Sequence, residues 1–195
     1  MKITKKVGEI ASIQVGHAMR GSIPEVFGAG IYMVQPRDIN EYGKVFWGDV
    51  VETELRGKAE PRWLEPGDVL FKMNGKPNLA AYIDRIELPE NAKVVAHHQF
   101  FHLKVTDRSV DPEYLAWYFN YPRVQEQIEA LKMARSTGPV VNKGMLSDLG
   151  VVIPERKMQD EILELWYNYV NEQRILRYKL EQSTSSYLRS VDIGV

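Results

Sequence analysis

The sequence has no cysteine. That excludes a disulfide framework, a thiolate metal site and a cysteine nucleophile, and it accords with a reducing compartment such as the cytoplasm. Charge of one sign is also lacking: 25 Lys and Arg against 26 Asp and Glu leave a net charge of -1. Residues 1–154 carry 19 of each, so a phosphate-binding surface has to arise by clustering on one face rather than from bulk charge. No apolar run approaches membrane-spanning length. The N-terminal segment starts basic but has no uninterrupted apolar core and no clear cleavage site, so no signal peptide is read there. Catalytic signatures are missing too, with no G-x-S-x-G, no H-E-x-x-H and no Walker loop. Hydrophobic residues nonetheless make up 44% of the 195 residues, enough for a real core.

What is present divides near residue 154. The first hundred residues alternate short apolar runs with Gly- and Pro-rich turns, the pattern of a curved or barrel-like β core. Val7–Val15 reads as a short helix followed by a strand. A Gly-rich loop leads to a strand at Ile31–Val34, and Lys44–Trp47 and Val50–Thr53 are further short strands. Pro66-Gly67 sets a turn before the strand Asp68–Met73, which ends at a second turn dipeptide, Asn74-Gly75. Leu79–Ile83 and Val94–Val105 continue the sheet. Helices then take over. Asp111-Pro112 is a cap followed by proline at the first helical position, Pro122 ends that helix, Val124, Ile128 and Leu131 mark a second one, and Leu149–Ile153 is a last strand.

From Glu155 a helical pattern runs on with almost no break. Ile162, Trp166, Tyr169, Gln173, Leu176 and Leu180, with Ser183 and Tyr187 beyond them, recur at spacings of four and three, a heptad seam suited to packing along another helix. Gln173 sits at mid-seam, where an amide lowers stability and favours one register. About 28 residues, Glu155 to Gln182, span roughly 42 Å, more than the 34–36 Å of one DNA turn. The helix either folds back on its own domain or pairs with a second helix.

Base-edge and phosphate contacts need Arg, Lys, Asn, Ser and Thr on loops. Three loops offer them: Arg20 with His17 in the first, Lys72, Asn74 and Lys76 with Asn78 in the second, and Arg135, Ser136, Thr137, Asn142 and Lys143 in the third. Each of these residues is equally at home as a solvated turn residue. Arg37-Asp38 reads as an internal ion pair at a strand end. His98 and His102 share one face of the Val94–Val105 run and His97 the other. That spacing suits metal ligands, but with no acid in the strand and no cysteine the favoured reading is a half-polar sheet face without metal. Glu52, Glu54 and Lys58 resemble a nuclease cluster only in composition.

Several segments in order carry a resemblance: Val7-Gly8-Glu9-Ile10-Ala11-Ser12-Ile13 with Gly16 and Arg20, Gln35-Pro36-Arg37-Asp38-Ile39, Leu64-Glu65-Pro66-Gly67-Asp68-Val69-Leu70-Phe71 with Gly75, Ala96–Val105, Asp111-Pro112-Glu113-Tyr114-Leu115, Ser136-Thr137-Gly138, Leu146 to Pro154, and Gln159 to Ile162. Together they resemble the specificity (S) subunit of type I restriction–modification systems. The resemblance implies an α+β fold, with a β-rich target-recognition domain with small helices over 1–154 and a long dimerisation or spacer helix over 155–190. It implies a non-catalytic, cytoplasmic subunit that reads double-stranded DNA and positions methyltransferase (M) and restriction (R) subunits. S-adenosylmethionine, ATP and Mg are then expected in those partners only, and the membrane is not a partner. Typical members carry two recognition domains and two helices. This chain has one of each, which reads as a half-subunit that a homodimer would complete, a fragment of a longer subunit being the alternative, and it has Glu155-Arg156 where a second proline is usual. Two other classes fit the same residues: a nucleic-acid hydrolase with an unrecognised active site, and a helical adaptor without DNA binding.

Overall fold

The computed structural model describes residues 3–19, 21–55, 60–134 and 140–190, with side chains in the final helix as far as Ser185. The chain opens with β1 (Ile3–Lys6), a single helical turn α1 (Val7–Ile10) and β2 (Ala11–Val15). β3 (Ile31–Val34), β4 (Val51–Glu52), β5 (Val69–Lys72), β6 (Ala80–Tyr82), β7 (Lys93–Ala96) and β8 (Phe100–Val105) follow. Then come α2 (Pro112–Asn120), α3 (Pro122–Ala134), α4 (Lys143–Asp148), β9 (Gly150–Ile153) and α5 (Arg156–Ser190). This is an α+β fold ending in one long helix.

The strands form three sheets. β1 pairs antiparallel with β9, setting Ile3 opposite Ile153. The central sheet has the order β2-β8-β5-β6, and the third has β4-β3-β7, with β3 and β7 parallel. The central sheet is covered on both faces. Val69, Phe71, Phe101 and Leu103 pack against Leu115 and Phe119 of α2, with the Phe71 and Phe119 rings edge to face at 5.1 Å. Leu70 and Phe100 point the other way, into a second cluster with Val34, Val94 and Ala96 of the third sheet. Burial on both sides is why Val69-Leu70-Phe71 is an unbroken apolar run rather than an alternating one.

Two expected strands are corrected. Val94–Val105 is not one strand. β7 stops at Ala96, and the chain turns through His97, His98 and Gln99, the Phe100 amide donating to the His97 carbonyl at 2.9 Å. The chain thereby passes from the third sheet to the central one. Both flanks are buried strands, so apolar periodicity is silent at the turn, and no Gly or Pro marks it. Lys44–Trp47 is not a strand either: Val45 makes an isolated bridge to Ile39, and Trp47–Asp49 is a 3₁₀ turn.

The helices obey their local signals. The Asp111 carboxylate accepts from the Glu113 amide at 2.7 Å and the Tyr114 amide at 3.3 Å, capping α2. Asn142 caps α4 through the Met145 amide at 2.9 Å. α5 is fastened at its start by Gln159, which is fully buried. Its Nε2 donates to the Ser109 and Pro154 carbonyls, both at 2.8 Å, and its Oε1 accepts from the Asp111 amide at 2.9 Å. Leu163 is buried against the domain, Tyr167 donates to Glu113, and Arg177 pairs with Glu41 at 2.6 Å. α5 is 35 residues long, roughly 52 Å. It does dock on its own domain, but over one flank only. Along the seam Ile162, Trp166 and Gln173 are half-buried, whereas Tyr169, Leu176 and Leu180 are 49%, 59% and 68% exposed.

Candidate nucleic-acid interface

Four segments meet where β2 and β5 end and β8 begins. The Gly16 amide donates to the Phe100 carbonyl at 2.9 Å and the His17 amide to Ala96 at 2.7 Å, so the loop after β2 lies on the His97–Gln99 turn. A Cβ at Gly16 would stand 2.2 Å from the His97 carbonyl oxygen, so only glycine permits this approach. The Met73 amide donates to Gln99 at 2.9 Å, and the Val141 amide donates to Met73 at 3.0 Å. These backbone bonds tie the β5–β6 hairpin and the loop before α4 to the same edge.

The expected residues fall as follows. Asn74 and Lys76 are exposed on the hairpin, and Lys72 is half-buried at its base, where desolvation draws its ammonium below the usual lysine range. Asn142 and Lys143 are exposed at the start of α4; with the Asn142 Oδ1 spent on the cap, its amide nitrogen remains for other contacts. The structure thus brings Lys72, Asn74, Lys76, Asn142 and Lys143 to one side. Arg20, Arg135, Ser136 and Thr137 lie outside the described residues, as does Lys58. Asn78 is corrected: it is fully buried and faces inward. Its Nδ2 donates to the Lys72 and Met73 carbonyls, both at 2.9 Å, and its backbone amide donates to Gln125 at 2.9 Å.

Sequence reasoning missed what holds the hairpin. Gln125 Nε2 donates to the Asn78 carbonyl at 2.9 Å, and Lys132 Nζ donates to the Gly75 carbonyl at 3.0 Å and to Asn78 Oδ1 at 2.8 Å. Lys132 is itself buried and ion-paired with Glu129. A signal existed: Val124, Ile128 and Lys132 follow at i, i+4 and i+8, so Lys132 occupies a core position of α3.

The histidine and acid candidates also resolve. His102 is buried, with Nε2 2.7 Å from Asp68 Oδ2, an acid supplied from just before β5 rather than from β8. His97 and His98 lie ring beside ring in the turn, 4.0 Å between centroids and tilted by 45°. Among the described residues no three His, Asp or Glu side chains are grouped to hold a metal. Arg37 does pair with Asp38, at 3.6 Å. Glu52 accepts from the Gly30 amide at 2.7 Å, anchoring the loop before β3.

Burial, with His98 as neighbour, lowers His97 from the ordinary 6.5 to about 4, and burial lowers His102 as well, against the pull of Asp68. Folded-state values below the unfolded one mean that the unfolded chain takes up protons first as pH falls. The stabilising contribution is therefore complete above 6.5 and is lost below it. We expect the urea midpoint to drop between pH 7 and pH 4.5, and to drop less in His97→Gln.

No family model and no curated protein matches the chain. Solved structures do match its fold. A chain from the type I R-M system, studied for its complex assembly and conformational transition, aligns with TM-score 0.63 and 16% identity over 98% of this chain and 43% of its own. The HsdS subunit from Thermoanaerobacter tengcongensis aligns with TM-score 0.59 and 15% identity, over 91% and 39%. The type I restriction–modification S subunit from M. genitalium aligns with TM-score 0.55 and 14% identity, over 97% and 44%. The fold is that of these S subunits, and the chain spans less than half the length of each match. Among the described residues no helix is long and apolar enough to cross a membrane.

Proposed function

We propose that this chain is a DNA-specificity module of the type I restriction–modification kind. Residues 1–154 read one half of a split target, and residues 155–190 hold a second reader at fixed distance. The carrying observation is the division of the molecule along β8. Polar loops gather where β8 begins, and the Gln159 clamp of α5 sits beyond its other end, next to Ser109 and Asp111. Lys76, Asn74 and Lys143 face the duplex, with phosphate contacts setting register and base edges supplying specificity. The open seam of α5 pairs with a second copy of the chain. The subunit performs no chemistry itself: methyltransferase and restriction subunits bring it, with their S-adenosylmethionine, ATP and Mg, in the cytoplasm.

The test is DNA binding across a salt series, alone and with the methyltransferase subunit, followed by mapping of methylated sites. We expect a bipartite palindromic target and a log–log salt slope that Lys76→Ala and Lys143→Ala each reduce by about 1. Binding with no salt dependence, or no binding in the complex, would point instead to an assembly adaptor.

A further inference from the structure

Resting on the DNA-reading proposal above, we infer that the His97–Gln99 turn is the base-reading element of this chain and that Gln99 sets its preference by taking one adenine through its carboxamide. β3 and β7 end side by side, with Val34 opposite Ala96 and the His97 amide donating to the Val34 carbonyl at 2.9 Å. On the other side His17 bridges His97 in parallel. Gln35, His97 and His17 therefore stand in a row across three neighbouring segments. Past that row the turn crosses to β8 with its backbone committed. The Gln99 amide donates to His97 Nδ1 at 3.4 Å, the Gln99 carbonyl accepts from the Met73 amide at 2.9 Å, and the Phe100 amide closes on the His97 carbonyl. What the turn offers a ligand is its side chains, and the bonds on both sides of Gln99 fix the direction in which its side chain leaves the backbone.

Charge surrounds the turn and is missing from it. Arg37 is exposed beyond Gln35, and Lys76 and Lys143 are exposed on the hairpin and on α4. His97 is neutral near pH 7, because burial and the neighbouring His98 lower it to about 4. Asp38 is buried, and its Oδ2 accepts from the Gln35 amide at 2.7 Å. Phosphates are met by cations, base edges by paired neutral donors and acceptors. An uncharged centre within a cationic rim is the layout that sets base edges in the middle and the phosphate backbone at the sides.

The same end holds hydrogen-bonding capacity in reserve. His17 Nε2, Gln35 Nε2 and Asp38 Oδ1 are three of the four buried side-chain atoms without a hydrogen-bond partner among the described residues. Such atoms are rare and costly in folded proteins, and here they gather around the row that carries the turn. Within the turn, Gln99 is the residue that fits an adenine. A carboxamide holds donor and acceptor in one plane and matches adenine N6 and N7 together, which an imidazole such as His98 does not. Asn142 has spent its Oδ1 on the cap of α4. Asn74 lies on the hairpin, which depends on the Lys132 strut for its position, whereas Gln99 is bonded at both its own amide and its own carbonyl.

The test is selection from a randomised duplex pool by the full-length chain in complex with the methyltransferase subunit, repeated across a salt series. Gln99→Ala lowers discrimination about tenfold at one adenine of the half-site and leaves the salt slope unchanged, since no phosphate contact is lost. Gln99→Glu, of nearly the same shape, turns the preference at that position to cytosine, whose N4 donates to a carboxylate. Lys76→Ala, by contrast, weakens all sequences alike. A consensus unchanged in both Gln99 variants, a consensus relaxed at every position together, or a change confined to a position that is not adenine overturns the inference and leaves DNA reading intact. A complex that selects no sequence overturns both.

Discussion

Gln159→Leu destabilises the protein by about 3 kcal/mol, which for a chain of this size lowers the melting temperature by roughly 6–12 °C. Leucine fills the space but satisfies none of the groups the amide serves. The Ser109 and Pro154 carbonyls lose their donor and the Asp111 amide loses its acceptor, and all three crowd around a side chain with no exposure. Returning to water on unfolding, those groups regain partners that the variant's folded state denies them. Gln159→Glu is as damaging, because a carboxylate accepts from Asp111 but repels the two carbonyls. Scanning calorimetry reads both. A loss under 1 kcal/mol would show that the amide is incidental and that Leu163 with the Arg156–Asp111 pair holds the helix unaided.

Lys132→Met is expected to weaken the proposed DNA binding about tenfold although Lys132 is buried beneath the hairpin, because a preorganised hairpin becomes one that has to be ordered on binding. Its ammonium is the strut under Gly75 and Asn78. The stability cost is about 2 kcal/mol, less than for a fully enclosed pair because Glu129 retains some exposure. Pairing the change with Glu129→Leu separates the roles: stability returns as the stranded carboxylate disappears, while the hairpin stays unbraced and DNA affinity stays low. Unfolding curves beside anisotropy titrations make the comparison. DNA affinity that recovered together with stability would mean that the brace under the hairpin does not set DNA affinity.

How much of this was legible in the residues depended on whether the signal was local. Asp111-Pro112 announced the start of α2 because a cap and a proline act within one turn. Asp68–Met73 announced β5 because turn chemistry brackets it. The seam of α5 was visible as a period, but its two flanks look alike in a heptad count, and only Gln159, Leu163 and Arg177 reveal which one the domain occupies. The turn at His97–Gln99 was illegible because neither glycine nor proline marks it. The bracing of the hairpin was hidden for the opposite reason: Asn78, Gln125 and Lys132 are polar, and polar residues in a turn or on a helix read as solvated until tertiary contact turns them inward. The loop edge itself was only half legible. The residue types suggested contact with nucleic acid, but backbone bonds between segments distant in sequence placed them side by side.

The pairing of Ile3 with Ile153 means that the polypeptide enters and leaves the globular body at adjacent points. Everything between those points hangs from a single doorway, with the β5–β6 hairpin and the loop before α4 at the far end of β8. The whole insert, or its tips alone, can then be exchanged without altering the pitch or phase of the shaft, which under the proposed function would change the target and keep the distance between readers.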